Sequence, residues 1–329
     1  VDHRLPDNTT VKAALALAVR APSVHNVQPW RWRIGDHSVH LYLDTTRALP
    51  HTDPDHRDLL LSCGAALHHA RIAFAALGWS PIVHRIPNDA DPDHLAAIEL
   101  IRHRPTPLDI ALAAAIPARR TDRRHYSSQP IPPGYLGLVS ERAAAAGATV
   151  RQAADGARAH LVEAMRAAAA RHAADPDYRL ELAEWSGRHS SCDGVPARNI
   201  PYPRLDDELP ARPFSGPGLT DTAREPDYAE LLVLATTGDD RLSRLRAGEA
   251  MSAVLLTATN VGLATCPLTE PLELPELRRK VRQGVLNGTT HPQVVLRIGL
   301  LPAGTTPLPA TPRRPLQEVL EPLPVAAHR

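Results

Sequence analysis

The chain reads as an α+β protein, built as two tandem α+β halves that form a pseudo-dimer within one polypeptide. Three observations carry this. The 329 residues suit two modest domains or one large one. Hydrophobic residues make up 43 %, enough for packed cores and against wholesale disorder. The third observation is an internal repeat. Gly64-Ala65-Ala66 leads through an Ala/Leu-rich stretch to Gly78, and Gly248-Glu249-Ala250 leads through a similar stretch to Gly262. Gly78-Trp79-Ser80-Pro81-Ile82 then parallels Gly262 to Cys266-Pro267-Leu268, and His94–Pro105 parallels His291–Pro302. A repeat this long implies a fused dimer, not a solenoid of short repeats. The halves are 1–105 and 106–329, meeting near residue 105.

The elements follow in order. Val11–Val19 predicts a short helix ending at Arg20-Ala21-Pro22, because proline disfavours the helical region for the residue before it. Trp30–Ile34 and Val39–Leu43 alternate and predict strands. Asp53-Pro54 predicts a helix start, with Asp as cap and Pro where a missing N–H costs nothing. The body of that helix, Leu59 to Leu77, is apolar nearly all round and predicts a buried central helix. Strands follow around Ile82–Arg85 and Ala97–Ile101. Thr106-Pro107-Leu108-Asp109 has the shape of a capping box and opens a helix to Ile116. Two helices, Tyr135–Gly147 and Asp155–Ala174, come after the prolines at 130, 132 and 133. Ser186–Thr220 is rich in Gly, Pro and Ser without periodicity, the form of an inserted lid over residues 186–220. Leu231–Ala235 is a strand, Arg241–Val261 a helix stopping at Gly262, and Val294–Ile298 a strand before a proline-rich tail.

Charge is nearly balanced, 37 Lys+Arg against 36 Asp+Glu, so nucleic acid is not a favoured partner. Cys63, Cys192 and Cys266 are too far apart for a zinc or disulfide pattern, which fits a reducing compartment. Seventeen histidines show no ligand spacing, and no metal is expected. Val1–Thr10 is polar and proline-broken, unlike a signal peptide, and no apolar run is read as approaching a membrane span. A soluble, cytoplasmic protein without a membrane partner is the expectation.

Two strings carry chemistry. Ala21-Pro22-Ser23-Val24-His25-Asn26-Val27-Gln28-Pro29-Trp30 offers short uncharged donors and acceptors, suited to a flat heterocycle with several carbonyls and ring nitrogens. The same residues also suit a capped turn before a strand. Arg119-Arg120-Thr121-Asp122-Arg123-Arg124 places four guanidiniums and a hydroxyl together, suited to a phosphate monoester and equally to a solvated basic turn.

The first string resembles the Ala-Pro-Ser-x-x-Asn-x-Gln-Pro-Trp segment of the FMN-dependent nitroreductase superfamily. The second resembles that superfamily's Arg-Arg-Ser-x-Arg phosphate segment, with Thr121 for Ser. Gly262-Leu-Ala-Thr-Cys-Pro267 is similar to its turn beside the flavin, and Arg313-Arg314-Pro315-Leu316 resembles its C-terminal basic segment. Here the Ala-Pro-Ser loop lies in the first half and the Arg segment opens the second, so one chain carries one full set of half-sites. That order resembles the Acg-like branch, single chains that mimic a nitroreductase dimer.

The resemblance implies a nitroreductase-like fold, with antiparallel-rich sheets and helices around them. It implies FMN, with Arg119, Thr121 and Arg123 on its phosphate and Arg313 or Arg314 assisting. Pro22, Ser23, Asn26 and Gln28 would reach it from the first half, and Pro267, Leu268, Thr269 and Glu270 would meet the flavin's N5 and O4 edge with main-chain N–H groups. NADH or NADPH would donate hydride through flavin N5 to a small nitro, quinone or enone acceptor, or the flavin would oxidise a biosynthetic intermediate. No catalytic side chain is assigned, because the flavin does the chemistry. The alternative is an FMN-sequestering protein with a lid-closed site and little turnover. The chain would act as a monomeric pseudo-dimer or a homodimer. Only Lys12 and Lys280 are lysines, so the family's lysine near the reactive edge has no evident counterpart. Cys266 would either modulate the flavin or be a buried structural thiol.

Overall fold

The computed structural model describes residues 5–204 and 206–322, so the first residues of the polar start and the end of the tail lie outside it. The first helix, α1 (Asn8–Ala18), begins earlier than its apolar pattern because Asp7 caps it, accepting from Thr10 N at 2.9 Å. Strands β1 (Trp30–Ile34) and β2 (Val39–Leu43) form an antiparallel pair with the expected bounds. The central helix α2 (Arg57–Ala76) does not start at Pro54. His56 takes left-handed backbone at φ 53°, and Asp53 caps from further upstream, accepting from the N–H groups of Arg57 at 2.7 Å and Leu59 at 2.9 Å. Strands β3 (Trp79–Arg85) and β4 (His94–Arg102) run longer than their alternation suggested. Helix α3 (Pro107–Ala118) carries both arms of the capping box between Thr106 and Asp109.

The second part begins with α4 (Tyr135–Ala145), β5 (Thr149–Gln152), α5 (Asp155–Ala173) and α6 (Pro176–Glu184). Neither β5 nor α6 was anticipated. Four mostly exposed residues give β5 no readable alternation, while Asp175 caps α6 on two main-chain N–H groups ahead of a proline. Among its described residues the stretch from 186 holds β6 (Ser186–Arg188), β7 (Val195–Pro196), a 3-10 turn at Ala197–Asn199 and a bridge between Pro201 and Leu219. Then come β8 (Glu230–Thr236), α7 (Arg241–Asn260), β9 (Ala264–Leu268), the one-turn α8 (Glu270–Glu273), α9 (Pro275–Gly284) and β10 (His291–Gly299). The short α10 (Leu316–Val319) and β11 (Leu320–Pro322) follow.

The strands make two main sheets, ordered β11-β1-β2-β4-β3 and β5-β8-β10-β9. Every pairing in them is antiparallel except β11 on β1, where the end of the chain returns to the first sheet. The architecture is α+β, with helices packed between and around the sheets.

Helices α2 and α7 cross at the centre of the core. A Cβ added at Gly64 would lie 2.1 Å from Leu245 O and 2.9 Å from Gly248 Cα; one added at Gly248 would lie 2.1 Å from Leu61 O and 2.9 Å from Gly64 Cα. Only glycine lets the two backbones approach this closely. Against the expectation that no apolar run is long enough, α2 has the length and composition to cross a membrane, but 83 % of its most apolar stretch is buried inside the protein. It is the core helix that its apolar circumference predicted.

Candidate functional site

One cavity collects residues from three distant parts of the chain. Pro22, Ser23, His25, Asp58 and Ser62 line it from the first part, and Thr121, Arg123 and Cys266 through Pro271 from the second. Ile200, Leu209 through Arg212 and Phe214 close it from the long connection. Of the residues singled out from sequence, Pro22, Ser23, Thr121, Arg123, Pro267, Leu268, Thr269 and Glu270 therefore meet at one place. Asn26, Gln28, Arg119, Arg313 and Arg314 stand outside its lining.

The loop before β1 is built under strain. His25, Asn26 and Gln28 all have positive φ, at 42°, 58° and 53°, which non-glycine residues adopt only when surroundings hold them. Ser23 Oγ accepts from Gln28 N at 3.0 Å, and Ser62 Oγ accepts from Val24 N at 3.1 Å. Asn26 Nδ2 donates to Gly194 O and Pro312 O; Gln28 Nε2 donates to Cys192 O, and Gln28 Oε1 accepts from Arg314 N. Arg47 Nε closes the turn on Val27 O. The two amides thus bind the loop to the long connection and to the C-terminal segment.

The arginine-rich segment divides. Arg124 pairs with Asp122 at 2.6 Å, and Arg120 donates to Leu308 O and Pro117 O. Arg119 is buried and Arg123 half-buried, and among the described residues no carboxylate lies in ion-pair range of either. Among the described residues Arg119 Nη1 reaches Thr121 Oγ1 at 3.3 Å and its Nε has no hydrogen-bond partner. Arg313 spends its donors on carbonyls of Arg20, Ala21, Thr311 and Pro312. Burial, with Arg120, Arg20 and Arg123 nearby, brings Arg119 down to about 10. Burial and the neighbouring Arg119, Arg20 and Arg120 bring Arg313 down to about 9. Arg20, at the end of α1, thus belongs to this cluster although its motif did not single it out; its place after α1, matching Arg119 after α3, was the available signal. Arg314 differs from Arg313, facing Glu318 at 3.5 Å and Asp44 at 3.9 Å.

Strand β9 forms the edge of its sheet, so one row of its main-chain groups has no strand partner. Pro267 is tolerated in it for that reason. Thr265 O accepts from Asp122 N at 2.9 Å, tying the strand to the arginine segment. Cys266, also on β9, is buried in the cavity wall.

Opposite in sign is a buried acidic group. Asp58 on α2 and Glu270 and Glu273 on α8 face Arg212, delivered by the long connection. Burial pushes Glu273 up to about 7 despite the Arg212 guanidinium. Burial also raises Asp58 and Asp53, the latter with Asp58 beside it. Glu270 was singled out from sequence only for its main-chain N–H and Asp53 only as a helix cap; Asp58 and Glu273 were not singled out, since the four lie in separate parts of the chain.

No family model matches the chain. Over 326 residues it is 50 % identical to Rv3131 of Mycobacterium tuberculosis strain H37Rv, whose name proposes an NAD(P)H nitroreductase, covering 98 % of this chain and 94 % of the relative. It is 40 % identical over 323 residues to Acg of the same organism, similarly named, covering 94 % of each. The chain belongs to the NAD(P)H nitroreductase family, the one its motifs resemble. Among solved structures, the FMN-dependent nitroreductase NfnB of Mycobacterium smegmatis in complex with NADPH aligns at TM-score 0.41 and 18 % identity, over 64 % of this chain and 97 % of that one.

Proposed function

We propose that the chain is an FMN-dependent NAD(P)H oxidoreductase that binds one FMN and reduces small acceptors of the nitro, quinone or enone type, or oxidises a biosynthetic intermediate. One observation carries this reading: Arg20, Arg119 and Arg313 converge, none of them with a carboxylate among the described residues. Buried cations without counter-charge are unfavourable, and a phosphate monoester, with about two negative charges and bidentate acceptors, offsets them. The donor set fits the phosphate of FMN. Arg119, Thr121, Arg123 and Arg313 would hold it, while Arg314, committed to acids, would act only through its N–H on Gln28.

When bound, FMN supplies reversible hydride chemistry. The chain's own part is positioning. Pro22 and Ser23 line the cavity from the strained loop, and Asn26 and Gln28 hold that loop in place; Pro267, which has no N–H to offer, and Leu268 line it from the edge strand β9, and Thr269 and Glu270 from the start of α8. The division into halves, 1–105 and 106–329, is part of the same proposal; the reciprocal contacts of Gly64 and Gly248 support it. With one strained loop and one acid-free arginine cluster, a single flavin per chain is expected.

The test begins with the visible spectrum of purified protein and identification of the released flavin. The double variant Arg119→Ala/Arg123→Ala is expected to lose FMN on gel filtration. Full retention overturns the phosphate assignment.

A second reading, FMN storage under a closed lid, is favoured by the stretch 186–220, whose Ile200, Leu209 to Arg212 and Phe214 wall the cavity. Bleaching of the bound flavin by NADPH supports the enzyme. Bleaching by dithionite alone supports storage.

A further inference from the structure

We propose that the acidic end of the cavity is a subsite for a cationic group on the acceptor substrate, and that Arg212 occupies it as an internal stand-in and so sets specificity. The inference rests on the flavin reading only for the word acceptor; the subsite is argued from its own residues.

Arg212 reaches inward from a connection that holds little regular structure. Its side chain is 11 % exposed. Nη1 donates to His25 Nε2 at 2.6 Å, Nη2 to Glu273 Oε1, and Nε lies 3.8 Å from Glu270 Oε2. Phe214, next but one along the chain, meets the His25 ring edge-on at 5.6 Å. One guanidinium therefore faces three buried carboxylates, those of Asp58, Glu270 and Glu273. His172 stands beside Glu270 at 3.3 Å and Glu273 at 3.8 Å, stacked on Tyr178. Two other arginines near Asp58 are committed, Arg57 to Asp239 and Gln293 and Arg278 to Leu272 O, while Arg123 lies over Phe214.

The second observation is independent of the acids. Because His25 Nε2 accepts from Arg212, the neutral ring carries its proton on Nδ1. That donor is buried in the cavity wall and has no partner among the described residues. Asp58 Oδ2 and Glu273 Oε2 are likewise buried and accept no hydrogen bond from the described residues, the latter having only His172 Nε2 at 3.8 Å. The site therefore asks for a positive group with an acceptor oxygen nearby. An anionic acceptor would confront three carboxylates, and Arg212 is already engaged by two of them. Both signs of charge line the one cavity: Arg123 lies over the Phe214 ring, 5.0 Å from its centroid, beside His25 and Arg212, and the three acids face Arg212.

The experiment compares 4-nitrobenzylammonium with 4-nitrobenzoate. Both are titrated into FMN-loaded and flavin-free protein by calorimetry, and into the loaded protein by flavin absorbance. Arg212→Ala is expected to tighten the ammonium probe about ten- to a hundredfold, the range of one or two charge-assisted hydrogen bonds, and to leave the benzoate no tighter. Glu273→Gln added to Arg212→Ala is expected to remove most of that gain. Arg212→Lys keeps the cation and is expected to show no gain, which separates charge from loosening of the connection. If Arg212→Ala does not fold, Glu273→Gln alone is expected to weaken the ammonium probe and not the benzoate. Equal tightening of both probes, or of neither, overturns the proposal. Failure to bind flavin overturns the flavin reading instead, because the calorimetric preference is also read without it.

Discussion

Helices α2 and α7 are the two regions of this molecule most alike in form and most different in content. Each has twenty residues, each begins with Arg, and each has its crossing glycine eighth, Gly64 in one and Gly248 in the other. Their contacts are reciprocal: Leu61 faces Gly248 as Leu245 faces Gly64. The twelfth residues, His68 and Ser252, meet each other at 2.8 Å. Such self-matching is what a two-fold contact requires. The ninth residues differ. Ala65 is plain core, whereas Glu249 is a buried carboxylate held by Arg71 at 2.8 Å and Arg85 at 2.6 Å. The frame is shared and the charges are not: the two helices match in backbone packing and differ in side-chain chemistry. Helices α1 and α3 repeat the lesson: both end beside an arginine of the Arg20–Arg119–Arg313 cluster, but α1 then enters the strained loop and α3 the arginine segment.

The strongest way to break the comparison is at the crossing. Gly64→Val is expected to destabilise the protein by about 3 kcal/mol or more in urea unfolding, because main chain cannot yield to a Cβ at 2.1 Å. Gly248→Val should match it, and a marked difference would show that the reciprocity is only geometric. Glu249→Ala removes the carboxylate between two arginines and is expected to cost about 3 kcal/mol; Ala65→Ser, at the matching place, should cost clearly less.

Glu273 sharpens the contrast through pH. Below its ordinary value of 4.5 the carboxyl is protonated in folded and unfolded chains alike. Between 4.5 and about 7 the folded chain keeps a proton that the unfolded chain releases, so stability falls as pH rises through that window. Glu273→Gln is expected to flatten that slope, with the variant gaining on the wild type by roughly 3 kcal/mol at most. The smallest effect belongs to the caps. Thr106→Ala is expected to cost about 1 kcal/mol through the capping box of α3, measured by thermal unfolding, and Asp7→Ala on α1 a similar amount.

Much of this was readable because it is local. β1 and β2 have the predicted bounds, since alternation over five residues and flanking turns define a strand without help. The capping box at Thr106 needs only four residues. The family followed from the wording of two short strings. Element starts were less readable: α2 opens at Arg57 because His56 adopts left-handed backbone, with Asp53 capping it across the intervening turn. Strand β5 exists because β8 offers it a partner, which its own four residues do not announce.

The cavity divides in the same way. Sequence alone determined the two chemistry-bearing strings, the repeat with its two glycines, and an arginine segment suited to phosphate, because each is carried by neighbours along the chain. Tertiary structure alone decided that Arg119 and Arg123 lack acids while Arg124 and Arg314 have them, and that Asn26 and Gln28 brace a loop. It also decided that Arg212 meets Asp58, Glu270 and Glu273. Charge compensation is a property of distance in space, and burial sets its strength; neither is written in the spacing of residues along the chain.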